Sequence, residues 1–310
     1  MSQSLQYKTA FETGDAESAA RRPLVSPEHN YDRKALLSHL QGIADDFPPA
    51  VRQRGINRNW NKYKFVLRQM SHVSDLLPRA GGTYLDLGSG AGIVPLVMAQ
   101  AGLSVYVIDT WTEYADELDN LMGSFPQFRA RFEKYGINWK MHDISQTPLP
   151  FSPQSFEVVS LFDVLEHLSR PANVIGEIYR LLRPGGLFFL TLPNVANLRN
   201  RLRLLLGTSP HPDPIENWFN PAFFGHYREM TMNELRRALP NFGFSIVDAK
   251  YTSACHWNTR LRGDLWSRDY RVSSIHQIAK LLYLTLTSAV PSFRYEIFLT
   301  LRKPLAAGDQ

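Results

Sequence analysis

The sequence has almost no cysteine, no long apolar run and no strong excess of one charge. Cys255 is the only cysteine in 310 residues, so neither an intramolecular disulfide nor a cysteine-based zinc site can form. No stretch approaches the ~18 uninterrupted apolar residues of a spanning helix. The first 22 residues lack the apolar core of a secretory signal. We therefore expect a cytoplasmic protein and leave open a peripheral contact with a membrane.

The composition that is present is that of an ordinary globular protein. Hydrophobic residues make up 44% and charged residues 20% of the chain, which is enough for a sizeable core. The formal net charge of +5 suits an anionic substrate, an acidic membrane surface or nucleic acid. A whole-chain charge cannot choose among these partners.

The pattern along the chain divides it into three parts. Residues 1–30 are polar and predict a flexible arm. Residues 31–80 have helical spacing of apolar residues and predict an N-terminal helical segment. Residues 81–310 predict one domain, with inserted segments at 194–230 and 252–292.

Strands and helices alternate in the third part. Strands are predicted at 83–88, 103–109, 137–143, 156–162 and 187–193, and the helices between them include one that begins near Pro171 and ends at Pro184. This alternation predicts parallel strands in a doubly wound α/β sheet. The runs 244–251 and 295–302 are expected to pair antiparallel at one end of it, and Thr231 with Glu234 predicts a capping box.

A glycine-rich turn follows the first predicted strand. The acidic residue Asp86 precedes Gly88 by two residues, and Gly90 and Gly92 follow at alternate positions. A dinucleotide fingerprint would need a third glycine where Ile93 stands, and no G-K-[ST] of a phosphate loop follows. Because Asp86 would repel an anion, the pattern favours a ligand that carries an ammonium or sulfonium group.

These residues and the segments after them resemble a known family. D-L-G-S-G-A-G at 86–92 resembles the first motif of class I S-adenosylmethionine-dependent methyltransferases, and LFDVLEHL at 161–168 and RLLRPGGLFFLTLPN at 180–194 match later motifs in the family's order. D-V-L-E-H is most similar to the small-molecule branch that includes quinone-biosynthesis O-methyltransferases. H-Y-R-E-M-T-x-x-E-L at 226–235 resembles methyltransferases of sugars and cell-envelope glycans.

The resemblance implies a fold, a cofactor and a site. It implies a Rossmann-like methyltransferase fold with a mostly parallel seven-stranded sheet, and S-adenosyl-L-methionine as cofactor. Asp109 would bind the ribose hydroxyls, and Asp143 with Ile144 would face the adenine. The implied cofactor-binding residues are Asp86, Gly88, Ser89, Gly90, Gly92, Asp109, Thr110, Asp143, Ile144 and Phe162.

The position after the fourth strand suggests His167 as a general base, and His226 is the second candidate. Structural alternatives remain open. Asp109 could be a helix cap, Asp143 a turn residue, Phe162 a core residue and His167 a packing residue. No metal site is predicted, because the clustered acids of catechol-type enzymes are not found.

The resemblance implies O-methylation of a small metabolite or of a glycan or lipid-linked sugar. One alternative is a non-catalytic cofactor-binding scaffold of the same fold. A nucleic-acid methyltransferase is less favoured, because N-P-P-Y and D-P-P-Y do not follow the fourth strand. The basic, leucine-rich run 197–207 predicts a solvated lid helix, a membrane contact or a clamp for an anionic substrate. The oligomeric state stays open.

Overall fold

The computed structural model describes residues 43, 46, 82–90, 92–111, 125–211, 225–252 and 275–305. The predicted flexible arm at 1–30 and nearly all of the predicted helical segment at 31–80 lie outside these residues. The spacing of Tyr114, Leu118 and Leu121 predicts a further helix after the second strand, and this segment lies outside the described residues as well.

The described residues form alternating strands and helices. The strands are β1 (Thr83–Leu87), β2 (Ser104–Asp109), β3 (Asn138–Met141), β4 (Phe156–Phe162), β5 (Leu182–Pro193), β6 (Ser245–Thr252) and β7 (Glu296–Arg302). The helices are α1 (Ile93–Gln100), α2 (Phe125–Lys134), α3 (Pro171–Leu181), α4 (Leu198–Leu205), α5 (Met232–Ala238) and α6 (Ile275–Ala289). Short 3-10 turns occupy Leu165–His167, Leu239–Phe242 and Pro291–Phe293.

All seven strands belong to one sheet with the order β3-β2-β1-β4-β5-β7-β6. The strands β1 to β5 pair in parallel. β7 pairs antiparallel with both β5 and β6. The prediction of a doubly wound, mostly parallel sheet with an antiparallel end is therefore confirmed.

Two apolar clusters cover the two faces of the sheet. One joins α1 and α2 to β1 and β2, and includes the fully buried rings of Phe128 and Phe132. The other packs α3 and α5 against β4, β5 and β7, with Val174, Ile178 and Leu181 on the buried stripe of α3. Because both faces are covered there, the central strands β1, β4 and β5 are nearly continuous apolar runs.

The structure corrects two of the predicted element boundaries and contains one helix that was not predicted. α3 ends at Leu181 and β5 starts at Leu182, five residues before the predicted strand. Leu182 pairs with Phe156 ahead of a register shift in β4, so the Pro-Gly-Gly stretch lies within the strand. The helix α2 was not predicted, although Phe128 and Phe132 have the i, i+4 spacing of a buried helical stripe.

The predicted lid segment contains helix α4. Asn197 caps it, because its side chain accepts a hydrogen bond from the Asn200 N–H at 3.0 Å. Asn194 ties the segment to the C-terminal part of the sheet by donating to the carbonyls of Ser292 and Arg294, each at 2.9 Å. Within the described ranges no helix is long and apolar enough to cross a membrane.

Candidate active site

The predicted site residues meet at one edge of the sheet. β1, β2 and β4 are parallel neighbours, so their carboxyl ends lie side by side. The glycine turn leaves β1, Asp109 ends β2 and Phe162 ends β4. Ligands of open α/β sheets bind in the crevice outside such ends.

The glycine turn is held in left-handed backbone geometry. Gly88, Gly90 and Gly92 have φ values of 71°, 53° and 73°, which side chains other than glycine adopt at a cost. A Cβ atom on Gly88 would lie 2.5 Å from Val164 Cγ2, and one on Gly92 would lie 2.2 Å from Phe132 Cε1. At these two positions the missing Cβ therefore admits protein side chains, whereas the sequence suggested the approach of a ligand.

Asp86 lies under this turn and is 4% exposed. Its Oδ1 accepts a short hydrogen bond from Ser160 Oγ, the residue directly opposite on β4. Since Ser160 gives its proton to Asp86, the Tyr84 hydroxyl donates to Ser160 Oγ at 2.6 Å. A buried chain of three polar side chains thus holds the Asp86 carboxylate at the end of β1.

Asp109 connects the glycine turn to β2. Its Oδ2 accepts from the Gly90 N–H at 2.7 Å, and its Oδ1 accepts from the Trp111 N–H at 2.9 Å. Trp111 Nε1 donates in turn to the Gly90 carbonyl at 2.9 Å. Burial raises the pKa of Asp109, and hydrogen bonds from Trp111, Gly90 and Thr110 oppose that rise.

The remaining predicted cofactor residues flank this group. The His142 N–H donates to the Asp109 carbonyl at 3.1 Å, which brings the following Asp143 and Ile144 to the same edge. The Asp143 carboxylate accepts from the Ser145 N–H at 2.9 Å, so it also stabilises the turn after β3. Ile144 is 7% and Phe162 8% exposed, and both belong to the apolar clusters.

The two predicted catalytic histidines lie together although they are far apart in sequence. Their rings are edge to face with centroids 4.7 Å apart. His226 Nδ1 lies 2.8 Å from Glu229 Oε1. Because a carboxylate accepts, Nδ1 carries the proton and Nε2 keeps the lone pair. His226 is therefore oriented as a base or as a ligand.

Backbone hydrogen bonds fix this arrangement. The Tyr227 N–H donates to the Glu166 carbonyl at 2.7 Å, so the segment with His226 docks on the turn that carries His167. Glu166, which the sequence analysis did not place in the site, is 1% exposed. The donor atoms of Glu166, His167 and His226 all lie within 4.8 Å of one another, close enough to hold a metal ion.

Sequence reasoning missed several residues that shape the site. Ser160 is a polar residue in an otherwise apolar run, and pairing β4 with β1 would have placed it opposite Asp86. Trp111 and Glu229 follow Asp109 and His226 by two and three residues. Their hydrogen bonds depend on turn geometry, so sequence spacing alone gives no signal for them.

The donor set fits a positively charged ligand. Carboxylates of Asp86, Asp109 and Asp143 approach one sheet edge, and the segments 84–92, 104–111 and 156–167 contain no Lys or Arg. A pyrophosphate would be repelled by these carboxylates, whereas the sulfonium and ammonium of S-adenosylmethionine would be attracted. The ribose hydroxyls are donors that suit the Asp109 carboxylate.

Known proteins resemble part of the chain. The chain is 36% identical over 118 residues to a ubiquinone biosynthesis O-methyltransferase of Pseudomonas paraeruginosa, covering 37% of this chain and 46% of that protein. It is 28% identical over 189 residues to a Mycolicibacterium smegmatis protein named "Probable S-adenosylmethionine-dependent methyltransferase", covering 61% and 60%. The chain thus spans about half the length of the first of these relatives.

A solved structure supports the fold. Phosphoethanolamine N-methyltransferase 2 of Haemonchus contortus, in complex with phosphomonomethylethanolamine and S-adenosylhomocysteine, has a TM-score of 0.50 at 18% identity, covering 79% of this chain and 53% of that one. A family model described as a methyltransferase domain matches residues 61–249, more than half of the 310 residues. The chain therefore belongs to the family of class I S-adenosylmethionine-dependent methyltransferase domains, with S-adenosylmethionine as its cofactor.

Proposed function

We propose that the chain methylates an oxygen of a small metabolite or of a glycan or lipid-linked sugar. The observation that carries the proposal is the oriented pair of His167 and His226 beside the cofactor edge. An alcohol or phenol must lose its proton to accept a methyl group, and a positioned imidazole can contribute about 10²–10⁴-fold as general base. The similarity to ubiquinone biosynthesis O-methyltransferases also favours oxygen as the acceptor atom.

Each side chain has a part in this mechanism. The bound cofactor supplies a methyl group activated by its sulfonium. Asp109 would bind the ribose, Asp143 and Ile144 would hold the adenine, and Asp86 would attract the positive end of the cofactor. Positioning acceptor and methyl in line can supply roughly 7–11 kcal/mol of the barrier reduction. Glu229 would hold the proton of His226 on Nδ1. The other ring nitrogen, Nε2, would then take the proton from the hydroxyl group that accepts the methyl.

The first experiment tests cofactor and turnover together. Calorimetry with S-adenosylmethionine on the wild type and on Asp109→Ala measures binding, and formation of S-adenosylhomocysteine with metabolite and glycan pools measures transfer. We expect binding to the wild type, a large loss of affinity in Asp109→Ala, and turnover with at least one pool. Cofactor binding without turnover in any pool would favour the scaffold alternative.

A second experiment tests the histidines. His167→Gln and His226→Gln should lower kcat by about 10²–10⁴-fold with little change in cofactor affinity, because neither residue belongs to the cofactor-binding set. His211→Gln is the matched control, since His211 is exposed and follows α4. Near-normal turnover of both pair variants would remove the general-base role.

We also propose a peripheral contact with anionic lipid through α4 and α6. Both helices pack on the turn Pro291–Phe293, and each exposes large aliphatic side chains to solvent. These side chains are Leu202, Leu204, Leu205, Leu206, Ile278, Leu281 and Leu282. The segments 195–211 and 275–295 contain no Asp or Glu, and Arg199, Arg201 and Arg203 lie among the leucines. Such a surface suits an anionic bilayer.

Vesicle co-sedimentation tests the contact. The wild type should bind vesicles that contain phosphatidylglycerol and should not bind pure phosphatidylcholine, and binding should weaken with salt. The double variant Leu205→Ser, Leu206→Ser should lose binding, because the two leucines are each 80% exposed. Equal binding of both vesicle types, or no loss in the double variant, would contradict this contact.

A further inference from the structure

We infer that Glu166, His167 and His226 bind a divalent transition-metal ion, with Zn²⁺ as the expected occupant. One donor atom from each side chain lies within 4.8 Å of the other two. Within the part of the chain that the structure describes, this is the one group of three His, Cys, Asp or Glu side chains with donor atoms so close together. The inference goes beyond methyl transfer, because the family membership assigns no metal to these residues.

The backbone holds the three ligands in place before any metal binds. Glu166 and His167 belong to the 3-10 turn Leu165–His167. The N–H groups of Tyr227 and Arg228 donate to the Glu166 carbonyl at 2.7 and 3.3 Å. The loop that carries His226 is thereby clamped to the turn that carries the other two ligands. Because both segments are already clamped, little conformational entropy is lost when a ligand binds between them.

The second shell of His226 supports metal binding. Metal-ligating histidines commonly donate their other ring N–H to a carboxylate, which fixes the tautomer and raises the basicity of the ligating nitrogen. Glu229 Oε1 lies 2.8 Å from His226 Nδ1, so Nε2 is the nitrogen that would ligate. A histidine that only fills space in the packing would not need a carboxylate to fix its tautomer.

The ligand types indicate which metal fits. Mg²⁺ and Ca²⁺ prefer sites made of oxygen ligands. Two imidazoles and one carboxylate are borderline ligands, the set that binds Zn²⁺ in catalytic sites with an open fourth position. A bound cation would also be favoured beside the Glu166 carboxylate, which is 1% exposed, because opposite charges attract more strongly where water is excluded.

The spacing requires a small closure. Donor atoms in a tetrahedral zinc site with bonds of about 2.0–2.1 Å lie about 3.3 Å apart. The present donors span up to 4.8 Å, so side-chain rotation must draw them together. His167 and His226 are only partly buried, which leaves their rings room to rotate.

The role of the metal in methyl transfer rests on the proposed function, although the site itself does not. An imidazole whose lone pair binds a metal cannot also accept the acceptor's proton. The ion would replace the direct general base, because a hydroxyl bound to a metal ion loses its proton more readily. The two roles of the histidines are therefore exclusive and can be separated by experiment.

The test is zinc calorimetry on the metal-free chain without a histidine tag. We expect one Zn²⁺ per chain, with an affinity that falls as the pH is lowered because protonated imidazole cannot ligate. Glu166→Gln, His167→Gln and His226→Gln should each abolish high-affinity binding. Glu229→Gln should weaken it by about 10–100-fold. His211→Gln, the exposed control, should bind Zn²⁺ like the wild type.

Absorption spectra of the wild type with Co²⁺ give a second readout that does not depend on variants that fold. Intense ligand-field bands of a low-coordinate nitrogen and oxygen site are expected. Lack of saturable one-to-one binding of Zn²⁺ and Co²⁺, or unchanged affinity in all three ligand variants, overturns the metal site. A chain that binds Zn²⁺ but forms no S-adenosylhomocysteine refutes the proposed function alone. Turnover by a chain that binds no metal refutes the metal site alone.

Discussion

The substitution Gly88→Ala tests why the turn after β1 needs glycine. Gly88 has a φ of 71°, and a Cβ atom there would lie 2.5 Å from Val164 Cγ2 and 3.2 Å from Cγ1. Left-handed backbone costs alanine about 1–2 kcal/mol, and overpacking costs about 1–3 kcal/mol more. We therefore expect the free energy of unfolding to fall by about 2–5 kcal/mol.

Two further variants separate the backbone cost from the steric cost. Gly136 has a φ of 65°, and no atom of the described residues lies within 4 Å of a Cβ added there, so Gly136→Ala should lose only about 1–2 kcal/mol. In Gly88→Ala with Val164→Ala, both Cγ atoms are removed and the nearest remaining contact is Val164 Cβ at 3.5 Å. The double variant should therefore regain most of the free energy of unfolding that the steric contact costs.

Urea unfolding followed by circular dichroism measures these differences, with unchanged m-values as the check on a common unfolding reaction. The coupling between positions 88 and 164 should be about 1–3 kcal/mol in the double-mutant cycle. Equal losses in Gly88→Ala and Gly136→Ala, or a coupling near zero, would refute the packing argument. The glycine would then have to be explained by a ligand.

Three other predictions concern buried polar groups, a titration and a helix end. Ser160→Ala should lower the free energy of unfolding by about 1–3 kcal/mol in urea, because Asp86 loses a buried donor. Ser155→Ala, which removes an exposed hydrogen bond, should change it by less than about 0.5 kcal/mol. Cofactor affinity measured by calorimetry should fall on acidification at a higher pH than an ordinary aspartate would give, because burial raises the pKa of Asp109. Thr231→Ala should cost about 0.5–2 kcal/mol in thermal or urea unfolding, because it removes a capping box.

The sign of the Asp109 effect on stability follows from the same shift. A carboxyl whose pKa is raised by folding binds its proton more readily in the folded state. Its contribution to the free energy of unfolding is greatest below the ordinary value of 3.8 and is lost as the pH rises through the raised pKa. Comparing the wild type with Asp109→Asn across pH measures this contribution, and a difference that grows in the opposite direction would contradict it.

The predictions for Ser160 and Thr231 can also be contradicted by experiment. If Ser160→Ala and Ser155→Ala lost the same stability, the buried chain from Tyr84 to Asp86 would have no special importance. If Thr231→Ala unfolded like the wild type, the capping box would contribute nothing measurable to α5.

The order and type of most elements could be predicted from sequence. The strand at Phe156–Phe162 was predicted with its observed bounds, and the capping box at Thr231 was read from two residues. Local rules suffice there because apolar runs and caps depend on near neighbours in sequence. The antiparallel pairing of β6 and β7 was predicted too, but the position of β7 between β5 and β6 was not, because strand order depends on the packing of the whole sheet.

The site was less predictable than the fold. Asp86, Asp109 and the glycines follow motif spacing, so a sequence can point to them. The contact of His167 with His226 joins segments from different parts of the chain, and no local rule gives their distance. The burial of Glu166 and its place in a three-ligand cluster depend on the same long-range docking. The arrangement of these side chains in the fold therefore makes the two general-base candidates part of a candidate metal site.

The place of β7 in the sheet has a consequence for synthesis on the ribosome. β1 to β5 emerge first and can pair in turn, so the edge with the candidate site can form early. β6 has no neighbour in the sheet until Glu296–Arg302 emerges, because its partner is β7. Until then the apolar edge of β5 is bare and open to pairing with other chains. A nascent chain that stops before residue 296 would thus expose this strand edge, although the strands that carry the candidate site have already emerged.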